Sequence, residues 1–207
     1  LPLAALFIWI FEASYARWVA LLAALFDLLL SIVMLAGFDS ELAGFQYIVT
    51  TAWIPTLNIH YQMGVDGISM LFLPLTTLLF LGVIITSWNS IRSMPQLYYI
   101  LLLILETATL GIFTALDTIV FFLFWELSLI PVYFLVSLWG IGPNRRFAAT
   151  KYTLQMLFGG VLILFGFVLL AFNHGDAGLV FDYIKLLDDP VPSEIQIAVF
   201  LLLLFGF

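Results

Sequence analysis

The sequence predicts an all-α, polytopic transmembrane helix bundle with a short β-hairpin on its outer face. Three observations predict it. Apolar residues make up 64% of the chain and charged residues only 9%, far from the mix of a soluble domain. Several stretches approach the roughly 20 apolar residues that cross a bilayer as a helix. The basic residues fall in alternate loops, as topology requires of a multi-pass protein.

Seven membrane segments follow from the apolar runs: 1–11, 18–37, 68–88, 97–115, 117–138, 147–172 and 194–207. The first and last open and close inside apolar sequence, so the chain reads as part of a longer membrane protein. There is no basic n-region or cleavable signal at the start. Breaks fall at Gly37 to Gly44, at Ser93-Met94-Pro95, at Gly140 to Asn144 and at His174 to Pro192. Only Leu116-Asp117 marks the gap between the fourth and fifth segments, which therefore form a tight hairpin. Residues 1–67 group as two helices plus an extended outer segment, and 68–207 as the remaining helices.

Arg17, Arg92, Arg145, Arg146 and Lys151 lie in or beside odd-numbered loops, whereas Lys185 falls in an even one. The even loops hold Asp39, Glu41, Asp66, Asp117, Asp176, Asp182, Asp188, Asp189 and Glu194. Odd loops are thus expected in the cytoplasm and the N-terminus outside. The net charge of −7 is mostly an outer-face property, and it argues against nucleic-acid binding.

Two outer loops read as ordered. Odd positions from Phe45 to Val65 are mostly apolar or β-prone and even ones mostly polar, a period of two that predicts a hairpin around Ile54-Pro55-Thr56. Phe181, Ile184 and Leu187 are spaced to line one face of a short helix. Both are expected to cover the bundle or to dock a neighbouring subunit.

Cysteine is absent, which excludes disulfides and thiolate-held iron–sulfur clusters within these residues. His60 and His174 fall in predicted loops, and no Gly-rich phosphate loop occurs. No cofactor or metal set is expected on this chain, so redox chemistry would belong to a partner.

Asp27, Glu106 and Glu126 each sit near the centre of a predicted span. A carboxylate in hydrocarbon binds a proton, finds a cation or faces a wet cavity. Burial favours the neutral acid, above the aqueous carboxyl range of about 4. Glu126 carries the sharpest signal. Pro131, five residues on, has no N–H to offer the Leu127 carbonyl, so a polar spot forms at membrane depth. Glu126 reads as a proton-relay carboxylate, against a protonated Glu bonded across a helix interface. Glu106 reads as a possible relay or a static interhelical bond, with Thr107, Thr109 and Gly111 beside it. Asp27 is a weaker relay candidate on a peripheral helix. Lys151 is either a snorkelling topogenic lysine or a cationic partner for a buried acid on the fifth segment. Arg145 and Arg146 read as topology determinants, 121–125 as packing and lipid-facing surface, and Gly159-Gly160 as a close helix contact.

Three motifs carry a family resemblance: Gly-Val-Asp-Gly-Ile-Ser at 64–69, Phe-Trp-Glu-Leu-Ser-Leu-Ile-Pro-Val-Tyr-Phe-Leu at 124–135 and Ala-Ala-Thr-Lys-Tyr at 148–152. In this order the chain resembles the antiporter-like membrane subunits of respiratory complex I, most of all chain 4, called M in bacteria and D in cyanobacteria and chloroplasts. The resemblance runs from about residue 45 to 207, and the stretch 141–146 looks cyanobacterial, as in the variant used for carbon dioxide uptake. It implies fourteen helices, of which about seven are present here, with two inverted repeats of five that each form half of a proton path. It implies that Glu126 pairs with a lysine on a discontinuous seventh helix, which tunes a relay lysine on the eighth. By that pattern the chain stops a few residues before the base. It further implies an NAD(P)H- or ferredoxin-dependent oxidoreductase in a thylakoid or bacterial inner membrane. Plastoquinone or ubiquinone and the iron–sulfur clusters would reside in partner subunits, and this chain would contact other membrane-arm subunits and lipid. A stand-alone multisubunit cation/proton antiporter shares that ancestry, and a non-transporting membrane scaffold is the structural alternative. A seven-helix receptor is a poor fit, because the loop pattern gives no sign of a ligand-binding or coupling domain and 194–207 holds no lysine for retinal.

Overall fold

The computed structural model describes residues 1–10, 15–173, 178–188 and 191–207; His174, Asp176 and Asp189 lie outside them. The elements run α1 (Pro2–Ile10), α2 (Ala16–Ala36), β1 (Gln46–Ile54), a 3₁₀ turn (Pro55–Leu57), β2 (Ile59–Val65), α3 (Ser69–Ser87), α4 (Pro95–Thr114), α5 (Thr118–Trp139), α6 (Arg145–Phe172), α7 (Tyr183–Asp188) and α8 (Ser193–Gly206). Helices α2 to α6 are each long and apolar enough to span a membrane. In hydrocarbon a helix satisfies its own backbone, so apolar runs of this length have little alternative.

Helix α4 is the hub and packs against α1, α2, α3 and α5. It starts with Pro95 in its first turn, where a missing N–H costs nothing, after Met94 in the left-handed region at φ 50°. Small residues let α2 come close: Ala16, Ala20 and Ala24 form a buried stripe at helical spacing. They join Ile84, Tyr99 and Leu103 in the main core. The opposite faces are apolar and exposed, with Leu22, Phe26, Leu29 and Val33 on α2 suited to lipid. Helix α6 packs on α5 and α8, which places α5 between the α4 hub and α6. Trp18 and Trp88 meet edge to face at 4.9 Å, and Arg17 stacks on Trp88 at 5.2 Å. Amphipathic rings and basic residues thus share one end, as they do at a membrane interface.

The predicted hairpin is present and antiparallel, with Thr50 paired to Gln62 and Asn58 in the left-handed region closing the turn. Its faces do not alternate as expected. Tyr47, Val49 and Trp53 on β1 and Tyr61 on β2 are exposed, while the even-numbered Gln62 is buried. Strand β1 is exposed on both faces along nearly its whole length, so it has no inward side for the alternation to mark. It also carries two register shifts, one between Gln46 and Val49 and one between Ala52 and Ile54. The outer helix is also shorter than its spacing implied. Phe181 is buried but precedes α7, Ile184 is half-buried, and Leu187 points outward.

Hairpin, α5 and the 181–183 segment join through main-chain hydrogen bonds. Leu116 N donates to Gln62 O at 2.9 Å, Thr118 N to Phe181 O at 2.9 Å, and Tyr183 N to Leu116 O at 2.8 Å. This junction sits at the outer end of α5 and sets where that helix begins.

Candidate proton site in the membrane

Helix α5 starts at a cap. Asp117 is 1% exposed, and its carboxylate accepts from Ile119 N at 2.9 Å, Val120 N at 3.3 Å and His60 N at 3.1 Å. Burial raises its proton affinity, the three N–H donors oppose that, and Asp182 adds to the rise. The start of α3 is similar in kind. Asp66 N donates to Ser69 Oγ at 2.9 Å, and Ser69 N donates to Asp66 Oδ1 at 2.7 Å. Burial works against the Asp66 carboxylate, but the Ser69 and Ile68 donors outweigh it and hold its pKa below the usual range. A Cβ at Gly64 would lie 2.6 Å from Leu116 Cδ1, so the Gly-Val-Asp-Gly-Ile-Ser motif is a close contact followed by a reciprocal cap. Neither role was read from the sequence, although Asp-Thr ahead of an apolar run is a helix-start signal.

Below the cap, Glu126 projects from α5 toward α6. Its side chain is half-buried, and Oε1 is buried without a hydrogen-bond partner. Glu126 Oε1 occupies the space that a Cβ on Gly160 would fill. A groove of about 570 Å³ runs along the same α5–α6 face, lined by Glu126, Leu129, Ile130, Tyr133, Thr153 and Leu157. Thr153 Oγ1 is likewise buried and unpartnered, as is Trp125 Nε1. Thr153 was not singled out from the sequence, since a lone threonine in an apolar helix usually bonds its own backbone. Pro131 lies within α5 one turn beyond the acid, where it cannot donate to the Leu127 carbonyl.

Glu106 is 0% exposed on α4, and neither carboxyl oxygen has a partner. Asp27 is half-buried on α2, which packs against α4. Glu126 lies at the α5–α6 face, against Gly160. The acids thus fall on two different helix pairs, Asp27 and Glu106 on α2 and α4, and Glu126 on α5 facing α6.

Lys151 is exposed on α6, flanked by Phe147, Leu154, Gln155 and Phe158. Nine residues separate it from Gly160, about two and a half turns, so it faces away from the side of α6 that meets Glu126. The structure does not bring Lys151 and Glu126 together. Arg145, at the start of α6, instead reaches the C-terminal end of α5, donating from Nη1 to Gly140 O at 3.3 Å. The aromatic run packs rather than facing lipid alone: Phe121 meets Phe167 and Phe207 edge to face, each at 6.0 Å.

Residues 115–207 match the family model described as NADH:quinone oxidoreductase/Mrp antiporter, TM. Among similar curated proteins is NAD(P)H-quinone oxidoreductase chain 4 2 of Thermosynechococcus vestitus, 37% identical over 94% of this chain and 36% of that protein. Another is NADH-quinone oxidoreductase subunit M of Rhodobacter capsulatus, 40% identical over 80% of this chain and 31% of that protein. The chain thus spans about a third of the length of the curated relatives it matches. In fold it matches a chain of respiratory complex I from Thermus thermophilus, with a TM-score of 0.80 and 24% identity over 99% of this chain and 42% of that one. It matches a chain of the Mrp complex from Dietzia sp. equally well, with a TM-score of 0.80 and 19% identity over 99% of this chain and 21% of that one. With its apolar spans, outer hairpin and buried acids, this chain belongs to the antiporter-like membrane subunits of the NADH:quinone oxidoreductase/Mrp family, among relatives of the chain 4 and subunit M type.

Proposed function

We propose that this chain is part of a proton-translocating membrane-arm subunit of an NAD(P)H- or ferredoxin-dependent quinone oxidoreductase, with Glu126 as a proton-carrying residue. The observation that carries the reading is a buried carboxyl oxygen without a partner, held against Gly160 in the middle of a membrane span. Structural acids in hydrocarbon acquire partners; one without them is suited to gaining and losing a proton. The relatives' names supply the redox half of the proposal, with quinone and iron–sulfur chemistry held by other subunits. A cyanobacterial thylakoid membrane is the proposed location, from the same relatives. Glu106 is a second candidate carrier.

The energetics are of the right order. Pairing or unpairing a buried acid with a base changes proton affinity at about 1.4 kcal/mol per pKa unit. Moving one charge against 100 mV takes about 2.3 kcal/mol, so a swing of two units is sufficient.

The test is Glu126→Gln in the full-length, assembled protein. Assembly is expected to be normal and proton pumping to fall at least tenfold. Unimpaired pumping would sink the relay role and leave the scaffold reading. The similarity to an Mrp complex keeps a stand-alone antiporter in view. Co-purification with hydrophilic redox subunits supports the oxidoreductase; isolation with antiporter subunits alone would replace it.

A further inference from the structure

The paired glycines of α6 face two different elements, and this asymmetry supports an inference beyond helix packing. A Cβ on Gly159 would lie 2.6 Å from the Gly206 carbonyl oxygen of α8, and the Gly206 Cβ position is 3.0 Å from Gly159 O. Backbone meets backbone there. One residue on, Gly160 turns about 100° around the helix and meets the Glu126 carboxyl of α5, with Phe122 next at 3.7 Å. Adjacent residues of one rigid helix therefore touch α8 on one side and the buried acid on the other.

The two contacts differ in what a methyl group would displace. At Gly159 the obstacle is main chain, so α8 itself would have to move. At Gly160 it is the far end of a flexible side chain, which can swing aside at little cost to packing. A methyl at Gly160 thus leaves the fold intact and evicts the carboxyl from its seat.

We propose that Gly160 is a positioning residue that seats the Glu126 carboxyl, while Gly159 registers α8 against the same turn of α6. The inference rests on the proton-carrying role proposed for Glu126. Sequence inspection identifies the glycine pair as a close approach, but not that its two members serve different partners.

The experiment uses the full-length complex in membranes and reads proton pumping together with the infrared carbonyl band of the protonated carboxyl, assigned by its loss in Glu126→Gln. Gly160→Ala is expected to assemble, to lower pumping about tenfold and to shift both the band and its pH profile. Glu126→Asp in the same background withdraws the carboxyl by one methylene and is expected to recover much of the loss. Gly159→Ala is expected to impair assembly, and Glu126→Asp should not relieve it. If Gly160→Ala fails to assemble, recovery of assembly by Glu126→Asp serves as the same readout. A wild-type band and pH profile in Gly160→Ala, or no relief by Glu126→Asp, overturns the positioning role. Normal pumping in Glu126→Gln instead removes the carrier role, whatever the glycine variants do.

Discussion

Asp117 and Glu106 are both carboxyls withdrawn from solvent, at 1% and 0% exposure, yet they live in opposite chemical circumstances. Asp117 stands at the outer end of α5 and collects hydrogen bonds from three main-chain N–H groups. Glu106 lies midway along α4 with both oxygens bare, and Glu126 has one buried oxygen in the same condition. Removing a satisfied acid orphans its donors, whereas removing an unsatisfied one orphans nothing. The first kind holds structure together. The second kind carries a cost with no bonding return, and this is the ground on which the two acids are proposed as proton carriers.

This contrast can be broken most forcefully at Asp117. Asp117→Ala leaves three main-chain donors without this acceptor and is expected to cost about 3 kcal/mol of stability. Thermal unfolding of the full-length protein in lipid nanodiscs would read it, and a change below about 1 kcal/mol would remove the distinction. Glu126→Gln should do the reverse, losing pumping while its melting curve stays near wild type. Glu106→Leu is expected to be neutral or stabilising by up to about 2 kcal/mol, since an unpaired acid gives way to an apolar side chain of similar size. A clear loss of stability there would mean Glu106 holds a partner and belongs with Asp117. The smallest effect concerns Asp66. Its folded pKa is depressed, so its stabilisation is present above the unfolded value of 3.8 and is lost as pH falls through the lower folded value. The stability gap between wild type and Asp66→Asn should therefore be widest near neutral pH and close in acid; a gap that widens in acid contradicts the cap.

Much of the fold was legible because hydrocarbon leaves an apolar chain few options. The spans, the hairpin turn and the tight link at Leu116-Asp117 all follow from local composition. The faces of the hairpin were not legible, because β1 is exposed on both sides despite an alternation that the sequence states plainly. At the candidate site, the depth of Glu126 within its span was legible from its setting, and the half-turn between Lys151 and Gly160 follows from spacing alone. Which helix faces would hold the acids was not. That depends on how each helix is rotated, and the rotation is set by long-range contacts such as the Ala16, Ala20 and Ala24 stripe on α2.

The outer junction has a consequence for how this protein can drift over evolutionary time. Gln62, Leu116, Thr118, Phe181 and Tyr183 meet through main-chain groups, so most side chains there can be exchanged without loosening it. What it cannot absorb is a change of length. Deleting one residue between Leu116 and Glu126 would turn the rest of α5 by about 100° relative to that anchor. The acid would then face a different neighbour. A family bound by this geometry should vary freely in letters across the junction while keeping the count of residues from junction to acid.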